Sequence, residues 1–260
     1  MRTRSEGRLE IDRFLLPLVV AIVFLWCWQA GVTVTHTKIF PSPADVVRGL
    51  AQLAGRALLW RYIADSLLRV SAGYLLAIMA GVPLGILLGS NETLALAVNP
   101  VIQILRPISP LAWMPLAVIW FGVSNAAPIF LIFLSSFFPI VVSTMNGVRG
   151  VPPVFLQVAR NFGLSRVEVM RRVVFPAILP RILTGLRIAF GIAWLVLVAA
   201  EMIAVDSGLG YLIIDARNAG KRYDLVVGGM LLIGLIGLGL DWLIRSAERI
   251  ESVRWGNLRG

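Results

Sequence analysis

Six long apolar runs constrain the fold of this chain more than any other feature. A helix that crosses a lipid bilayer needs about 20 mostly apolar residues, and each run reaches or approaches that length. We therefore predict an all-α fold, a polytopic membrane helix bundle of about six transmembrane helices that forms one domain over residues 1–260. The predicted spans are residues 14–34, 67–90, 94–121, 126–145, 177–205 and 225–244.

The composition excludes most soluble classes of protein. Hydrophobic residues make up 58% of the chain and charged residues 15%, whereas a soluble domain carries about 25% charged residues. The single cysteine, Cys27, excludes an intrachain disulfide, and the single histidine, His36, makes a His-ligated metal site or a His-based hydrolase a weak interpretation. We expect no metal site, no nucleic-acid partner and a loop position for His36.

The distribution of basic residues predicts the orientation in the membrane. Six spans place both ends of the chain on one side, together with the long polar insert 146–174. With the insert counted as far as Arg181, that side carries 14 Lys and Arg residues against 7 on the other side. Because cytoplasmic loops are enriched in Lys and Arg, we predict that both termini and the insert are cytoplasmic. The first run is interpreted as a retained helix, since it is longer than the apolar core of a signal peptide.

Several shorter patterns predict local structure between and within the spans. An amphipathic stretch from Ala44 predicts a short interfacial helix, and Gly81, Gly85 and Gly89 predict a helix face that packs closely on a neighbour. The third run is interrupted by an arginine and three prolines, so we predict a broken helix that is buried or lines a path. The residues that interrupt the third run are Arg106, Pro107, Pro110 and Pro115. Residues 206–224 are expected to form a polar loop.

The polar insert predicts two short helices joined by a turn. Residues 155–161 are expected to be helical, and Gly163 suits the helix stop because glycine tolerates left-handed dihedral angles. Ser165 and Glu168 have the spacing of a capping box at the start of the next helix.

The same insert resembles the EAA loop of binding-protein-dependent ABC importer permeases. That pattern is Glu-Ala-Ala, three residues, Gly, nine residues and Ile-x-Leu-Pro. Here Gln157-Val158-Ala159 occupy the first positions, Gly163 the glycine, and Val173 and Phe175-Pro176 the closing positions. Gln replaces the Glu, so any contact that needs a carboxylate is lost. Further segments are similar to the nitrate, sulfonate, taurine and bicarbonate branch of these permeases, namely residues 39–43, 105–115, 119–122, 183–187, 199–203 and 208–212.

The resemblance implies a type I ABC importer permease in the bacterial plasma (inner) membrane. A second copy of the chain, most simply as a homodimer, would complete the channel, and two ATP-binding subunits would dock on the two loops. A substrate-binding protein, periplasmic or a lipoprotein, would deliver a small anion, with aliphatic sulfonate, taurine, nitrate and bicarbonate left open. The implied coupling residues are Gln157, Val158, Ala159, Arg160, Phe162, Gly163, Leu164 and Ser165.

The sequence implies that ATP is hydrolysed on another chain. No Gly-x-x-x-x-Gly-Lys-[Ser/Thr] motif occurs, so the backbone cradle that binds phosphates in P-loop ATPases is absent from the sequence. We therefore expect no enzymatic activity and no cofactor on this chain, with ATP and Mg²⁺ bound by the partner subunit.

Charged and aromatic residues within the spans are candidates for the translocation path. We single out Arg106, Trp113 and Glu201, because a charge inside a membrane normally faces a partner or a wet cavity. Arg106 either attracts the anion or holds the helix break, and Glu201 either forms a gate or a structural bridge with Arg69. Arg187 is expected to snorkel or to pair within the bundle.

The alternative class is a secondary transporter or channel that needs no ATPase. It predicts an inverted internal repeat and intramembrane carboxylates that couple to ions. We find no convincing repeat, and Glu201 is the only acid deep within an apolar run.

Overall fold

The computed structural model describes the backbone of residues 3–35 and 39–255 and the side chains of residues 15–35, 39–218 and 220–246. Regular structure in this part of the chain is helical throughout. The helices are α1 (Thr3–Thr35), α2 (Pro43–Gly55), α3 (Leu58–Ser90), α4 (Glu92–Leu105), a 3₁₀ turn (Pro110–Trp113), α5 (Met114–Phe121), α6 (Ala126–Arg149), α7 (Pro153–Asn161), α8 (Arg166–Val169), a π-helical segment (Met170–Val174), α9 (Phe175–Ala204), α10 (Leu209–Gly220) and α11 (Tyr223–Trp255).

The helix lengths confirm the predicted polytopic membrane fold. Among the described residues, five helical segments are long and apolar enough to cross a bilayer, and α4 with residues 110–121 forms a sixth, bent by 84°. The bend falls at the predicted interruption, where Pro107 and Pro110 lack the backbone N–H that a continuous helix needs. The second span begins at Leu58 rather than at residue 67, and α6 continues to Arg149 beyond its predicted end.

The described residues divide into two compact units. The first comprises the chain up to Leu59 together with Ile213–Leu231. Within it, α2 is the predicted amphipathic helix, and it buries Val46, Gly49 and Leu53. Gly49 lies against Asp224 and Leu225 at the start of α11, so any side chain at this position would overlap them.

The second unit comprises Trp60–Leu212 and the chain from Leu232 onward. Here α3 packs on α6 through the predicted glycine face. A Cβ atom added at Gly81, Gly85 or Gly89 would meet Ile140, Thr144 or Val148 of α6 at less than 3.0 Å. Both series advance by four residues, so the two helices run parallel in direct backbone proximity, as small residues permit in membrane bundles.

Helix α9 forms the centre of the second unit. Its buried face includes Ala193, Trp194 and Leu197, which pack with Val70 of α3 and Ile132 of α6. The Trp194 indole Nε1 donates to the carbonyl oxygen of Ile233 at 3.2 Å. Trp194 is therefore a core residue.

The prediction of a polar loop over residues 206–224 is wrong. Most of this segment is α10, and Leu209, Leu212, Ile213 and Ala216 on one helical face are buried. Their three- and four-residue spacing is an amphipathic pattern that the charged residues of the segment concealed. His36 lies outside the described residues. So do the basic side chains near both ends of the chain that supported the predicted orientation, apart from Arg245, which pairs with Asp241.

Candidate functional site: the coupling loop and the buried charges

The insert between α6 and α9 forms a defined helical hairpin. Helix α7 ends at Asn161, and the next residues reverse the chain through Gly163, whose φ is +72°. The backbone N–H of Gly163 donates to the Arg160 carbonyl at 2.9 Å, and that of Leu164 donates to the Ala159 carbonyl at 3.1 Å. These two bonds are the Schellman motif, which satisfies the last carbonyls of a helix. The predicted glycine stop is confirmed.

The second short helix begins with the predicted capping box. Ser165 Oγ accepts from the backbone N–H of Glu168 at 3.3 Å, and Glu168 Oε2 accepts from the backbone N–H of Ser165 at 3.0 Å. This reciprocal pair satisfies two otherwise free donors at the helix start. Because both ends of the turn are capped, α7 and α8 are held in one local geometry.

One side of α7 packs on the bundle. Ala159 is buried, and Leu156 packs against a cluster formed by Val151, Val174, Ile178 and Ile182. The cluster connects α7 to the π-helical segment and to the first turns of α9. Leu156 therefore links α7 to the start of a membrane span.

The opposite side of α7 carries an exposed apolar stripe. Val154, Val158 and Phe162 follow one another at four-residue spacing, and Phe155 lies beside them. The exposed fractions range from 46% for Val158 to 80% for Phe162. Large apolar side chains clustered on a polar loop mark an interaction surface. We call these four residues the α7 stripe.

The structure places the predicted coupling residues on three surfaces of the hairpin. Val158 and Phe162 belong to the α7 stripe, whereas Gln157 and Arg160 are exposed on the polar side of α7. Ala159 is buried and Leu164 partly buried, so these two position the hairpin. Gly163 and Ser165 form the turn. Val154 and Phe155 were missed by the sequence analysis. The available signal was the helical spacing, with Val154 four residues before Val158 and Phe155 three residues before it.

A cluster of polar and charged side chains lies buried among the spans. Arg69 of α3 pairs with Glu201 of α9 at 2.7 Å, and the two side chains are 4% and 0% exposed. The predicted pairing of these residues is confirmed. The Arg69 guanidinium also donates to Asn125 Oδ1 at 2.8 Å and to Ser207 Oγ at 2.6 Å, which spreads its charge over several acceptors.

The Glu201 carboxylate is held from the other side by α10. Glu201 Oε2 accepts from the backbone N–H of Gly210 at 3.0 Å, and Ser66 Oγ donates to both carboxylate oxygens at 2.8 Å. A carboxylate at the first N–H groups of a helix is stabilised by the helix dipole. Gly208, with φ +110°, has no room for a Cβ atom beside Glu201 and Arg69.

This cluster supports a structural bridge more than a site exposed to substrate. Glu201 is fully buried, and its carboxylate and the Arg69 guanidinium both have close partners. The sequence analysis missed Ser66, Asn125, Ser207 and the Gly208-Leu209-Gly210 turn as members. Ser66 and Arg69, three residues apart on one helical face, were the available signal.

The other candidate path residues lie apart from this cluster. Arg106 is the C-cap residue that follows α4 at the helix break, and its exposed side chain makes no ion pair or hydrogen bond with the described residues. Trp113 packs against the cluster of Met114, Ala117 and Ala200. Arg187 pairs with Asp241 at 2.9 Å, which confirms pairing within the bundle.

The chain matches known proteins over most of its length. Residues 81–249 match the family described as the binding-protein-dependent transport system inner membrane component. A putative ABC transporter permease protein of Methanocaldococcus jannaschii is 46% identical over 90% of this chain and 88% of its own length. A putative aliphatic sulfonates transport permease protein of Bacillus subtilis is 35% identical over 94% and 87% of the two chains.

Other relatives, each 36% identical, are named for different anions. They are a nitrate import permease of Synechococcus elongatus, a taurine transport system permease of Escherichia coli and a bicarbonate transport system permease of Synechococcus elongatus. The match covers 86% to 92% of the length of each of these relatives.

The fold is also that of a solved importer. A bacterial ABC transporter involved in the import of the acidic polysaccharide alginate superposes with a TM-score of 0.65 at 16% identity, covering 95% of this chain and 98% of that chain. In this family ATP hydrolysis is done by a separate subunit. The chain is a multi-pass membrane protein that belongs to the permease family of binding-protein-dependent ABC importers.

Proposed function

We propose that this chain is the membrane-spanning subunit of an ATP-driven importer for a small anion, namely an aliphatic sulfonate or taurine, nitrate or bicarbonate. The observation that carries the proposal is the α7 stripe, presented on a capped hairpin at the position of the EAA loop. An apolar stripe on a loop rich in arginine requires a protein partner to cover it. That partner is a P-loop ATPase, which supplies the nucleotide site that this sequence lacks.

The full assembly in this proposal contains two copies of the chain, two ATPase subunits and one substrate-binding protein. The family description names dependence on a binding protein. The hairpin faces the cytoplasm, where ATP is available, and both termini lie on the same side, as the distribution of Lys and Arg favours. The membrane is the bacterial plasma (inner) membrane.

The coupling mechanism follows from how the hairpin joins the bundle. Closure of the two ATPase subunits moves each α7. Because Leu156 packs against Ile178 and Ile182, and the helical path continues from Arg166 to Ala204, the movement passes to α9 as a near rigid displacement. The bundle then rocks between inward-open and outward-open states. The anion alone contributes only its differential affinity for the two states, so ATP must supply the drive.

The anion class is supported by the named relatives and by unpaired positive charge at the helix break. Arg106 is exposed between α4 and the 3₁₀ turn, and broken backbone at membrane depth is tolerated where it is buried in protein or lines a water-filled cavity. We assign Arg106 to the translocation path. Trp113, seven residues further along the chain, is proposed as a wall residue of the same path. Glu201 holds the surrounding helices in place.

The docking proposal is tested by affinity capture of the tagged chain from its native host in mild detergent. Val158→Glu places a charge in the α7 stripe and is expected to lower the yield of captured ATPase at least about tenfold, since burying an unpaired charge costs several kcal/mol. Val123→Glu is the matched control. Val123 is 73% exposed. It lies just before α6 and α7 lies just after α6, so the length of that helix, 24 residues or about 36 Å, separates the two positions.

Equal capture by Val158→Glu and the unmodified chain would contradict docking on the α7 stripe. Absence of any P-loop ATPase from the unmodified chain would contradict the importer itself and favour the secondary transporter.

A further inference from the structure

Two adjoining cavities open between the ends of α6 and α9 that lie nearest the hairpin of α7 and α8, which we call the coupling hairpin. One has a volume of about 590 Å³ and reaches Phe155 and Val173, and the other has a volume of about 430 Å³ and reaches Ser143 and Thr184. Gly147, Pro180 and Arg181 line both cavities. The Arg181 side chain therefore stands where the two cavities meet.

Arg181 is exposed, and it differs in its partners from Arg69 and Arg187, two arginines within the spans. Arg69 and Arg187 are each paired with a carboxylate, whereas Arg181 makes no side-chain hydrogen bond or ion pair within the described part of the chain. Its guanidinium lies over Gly150, where a Cβ atom would overlap it. All five of its N–H donors are uncommitted, and guanidinium geometry matches the two oxygens of an oxyanion.

The surroundings supply a second donor and little competing negative charge. Asn146 is exposed on the same cavity wall, and its amide carries two N–H donors. Ser143 donates to the carbonyl of Arg181 at 3.3 Å and Thr184 to that of Pro180 at 3.0 Å, so both hydroxyl protons are already used. Glu168 is the only acid in residues 146–181, and it lies 3.7 Å from Arg172.

We propose that Arg181 and Asn146 form an oxyanion-binding site at the coupling-loop end of the bundle. Because the site opens beside the hairpin, an oxyanion bound there lies on the route between the spans and the ATPase. Two sources of oxyanion have the chemistry that this site would bind. One is the free anion as it leaves the translocation path, and this source rests on the proposed function. The other is the headgroup of an anionic phospholipid.

The test compares the purified full-length chain, Arg181→Gln and Arg171→Gln in nanodiscs. Arg171 is exposed, lies in the same basic segment and lines neither cavity, so its variant is the matched control. Free anions are tested by thermal shift with nitrate, bicarbonate and ethanesulfonate in phosphatidylcholine nanodiscs. Lipid is tested by native mass spectrometry after reconstitution in phosphatidylcholine with phosphatidylglycerol.

We expect Arg181→Gln to weaken binding in one arm by about tenfold or more, as the loss of a hydrogen bond to a charged group predicts. Arg171→Gln should match the unmodified chain, and Arg181→Lys should recover part of the affinity because the charge remains. An effect with the free anions identifies the substrate as the source, and an effect confined to phosphatidylglycerol identifies the headgroup.

Equal binding by Arg181→Gln and Arg171→Gln in both arms would overturn the site. This failure is distinguishable from failure of the proposed function, which is decided by whether an ATPase is captured with the chain and not by either binding arm.

Discussion

At the scale of single residues, the Arg69–Glu201 pair is a fully partnered ion pair, with side chains 4% and 0% exposed. A charge inside a membrane is expensive unless it is paired, and here the donors of Arg69 and Ser66 and the N–H of Gly210 surround one carboxylate. The geometry ties α3, α9 and the start of α10 together. The pair is therefore a bridge among three helices.

We expect Glu201→Gln to destabilise the chain by about 3–5 kcal/mol, because removing one partner leaves Arg69 buried without its countercharge. For a chain of this size that lowers the melting temperature by at least about 6 °C, measured by thermal unfolding in detergent. Arg48→Gln is the control, since the Arg48–Asp45 pair is exposed and such pairs contribute about 0–1 kcal/mol. Similar losses in both variants would contradict the bridge.

A second prediction at this scale concerns the backbone turn beside the pair. Gly208→Ala forces a Cβ atom against Glu201 and Arg69 at a residue whose φ is +110°, so we expect a loss of about 1–3 kcal/mol from backbone strain alone. Gly191→Ala is the matched control, because nothing lies within 4 Å of its Cβ position. In thermal unfolding, a Gly208→Ala variant as stable as Gly191→Ala would show that the turn is not constrained.

At the scale of elements, the coupling hairpin owes its shape to local chemistry. Gly163 and Ser165 determine the turn through hydrogen bonds to residues within five positions in the sequence. Because these interactions are local, the helix stop and the capping box could be predicted from the residue pattern alone. The same holds for the glycine face of α3 and for the proline break after α4.

Elements whose signals depend on distant residues were harder to predict. Helix α10 is charged enough to resemble a loop, and its first turn is stabilised by Glu201 and Ser66 from other helices. The α7 stripe begins before the EAA pattern, whose first residue is Gln157. Val154 and Phe155 therefore fell outside the pattern that named Val158. The pairing of Arg69 with Glu201 was predictable only because two opposite charges stood at corresponding ends of two spans.

We expect Gly163→Pro to disrupt the hairpin and to lower ATPase capture while leaving the bundle folded. Proline fixes φ near −65° and lacks the N–H that Gly163 donates to Arg160. Gly163→Asn is the control, since asparagine tolerates the left-handed region. The measurement is the ratio of captured ATPase to tagged chain. A ratio for Gly163→Pro equal to that for Gly163→Asn would show that the turn does not position the docking surface.

At the scale of the whole molecule, the proposed mechanism needs a continuous series of contacts from the hairpin to the spans. In the proposed mechanism the α7 stripe receives the ATPase. The cluster of Ile178 and Ile182 connects the hairpin to α9, and α9 packs on α6. The glycine contacts join α3 to α6, and the Arg69–Glu201 bridge joins α3 to α9. A bundle connected in this way moves as a unit, which is what rocking between two open states requires.

The most direct test of the ATP-driven account is uptake into proteoliposomes that contain the complete captured assembly. Radiolabelled nitrate, bicarbonate, taurine and ethanesulfonate are supplied outside together with the binding protein, and ATP with Mg²⁺ is trapped inside. The account predicts that at least one anion accumulates only when both the binding protein and ATP are present. Accumulation of an anion without ATP, driven by a proton or sodium gradient, would contradict it.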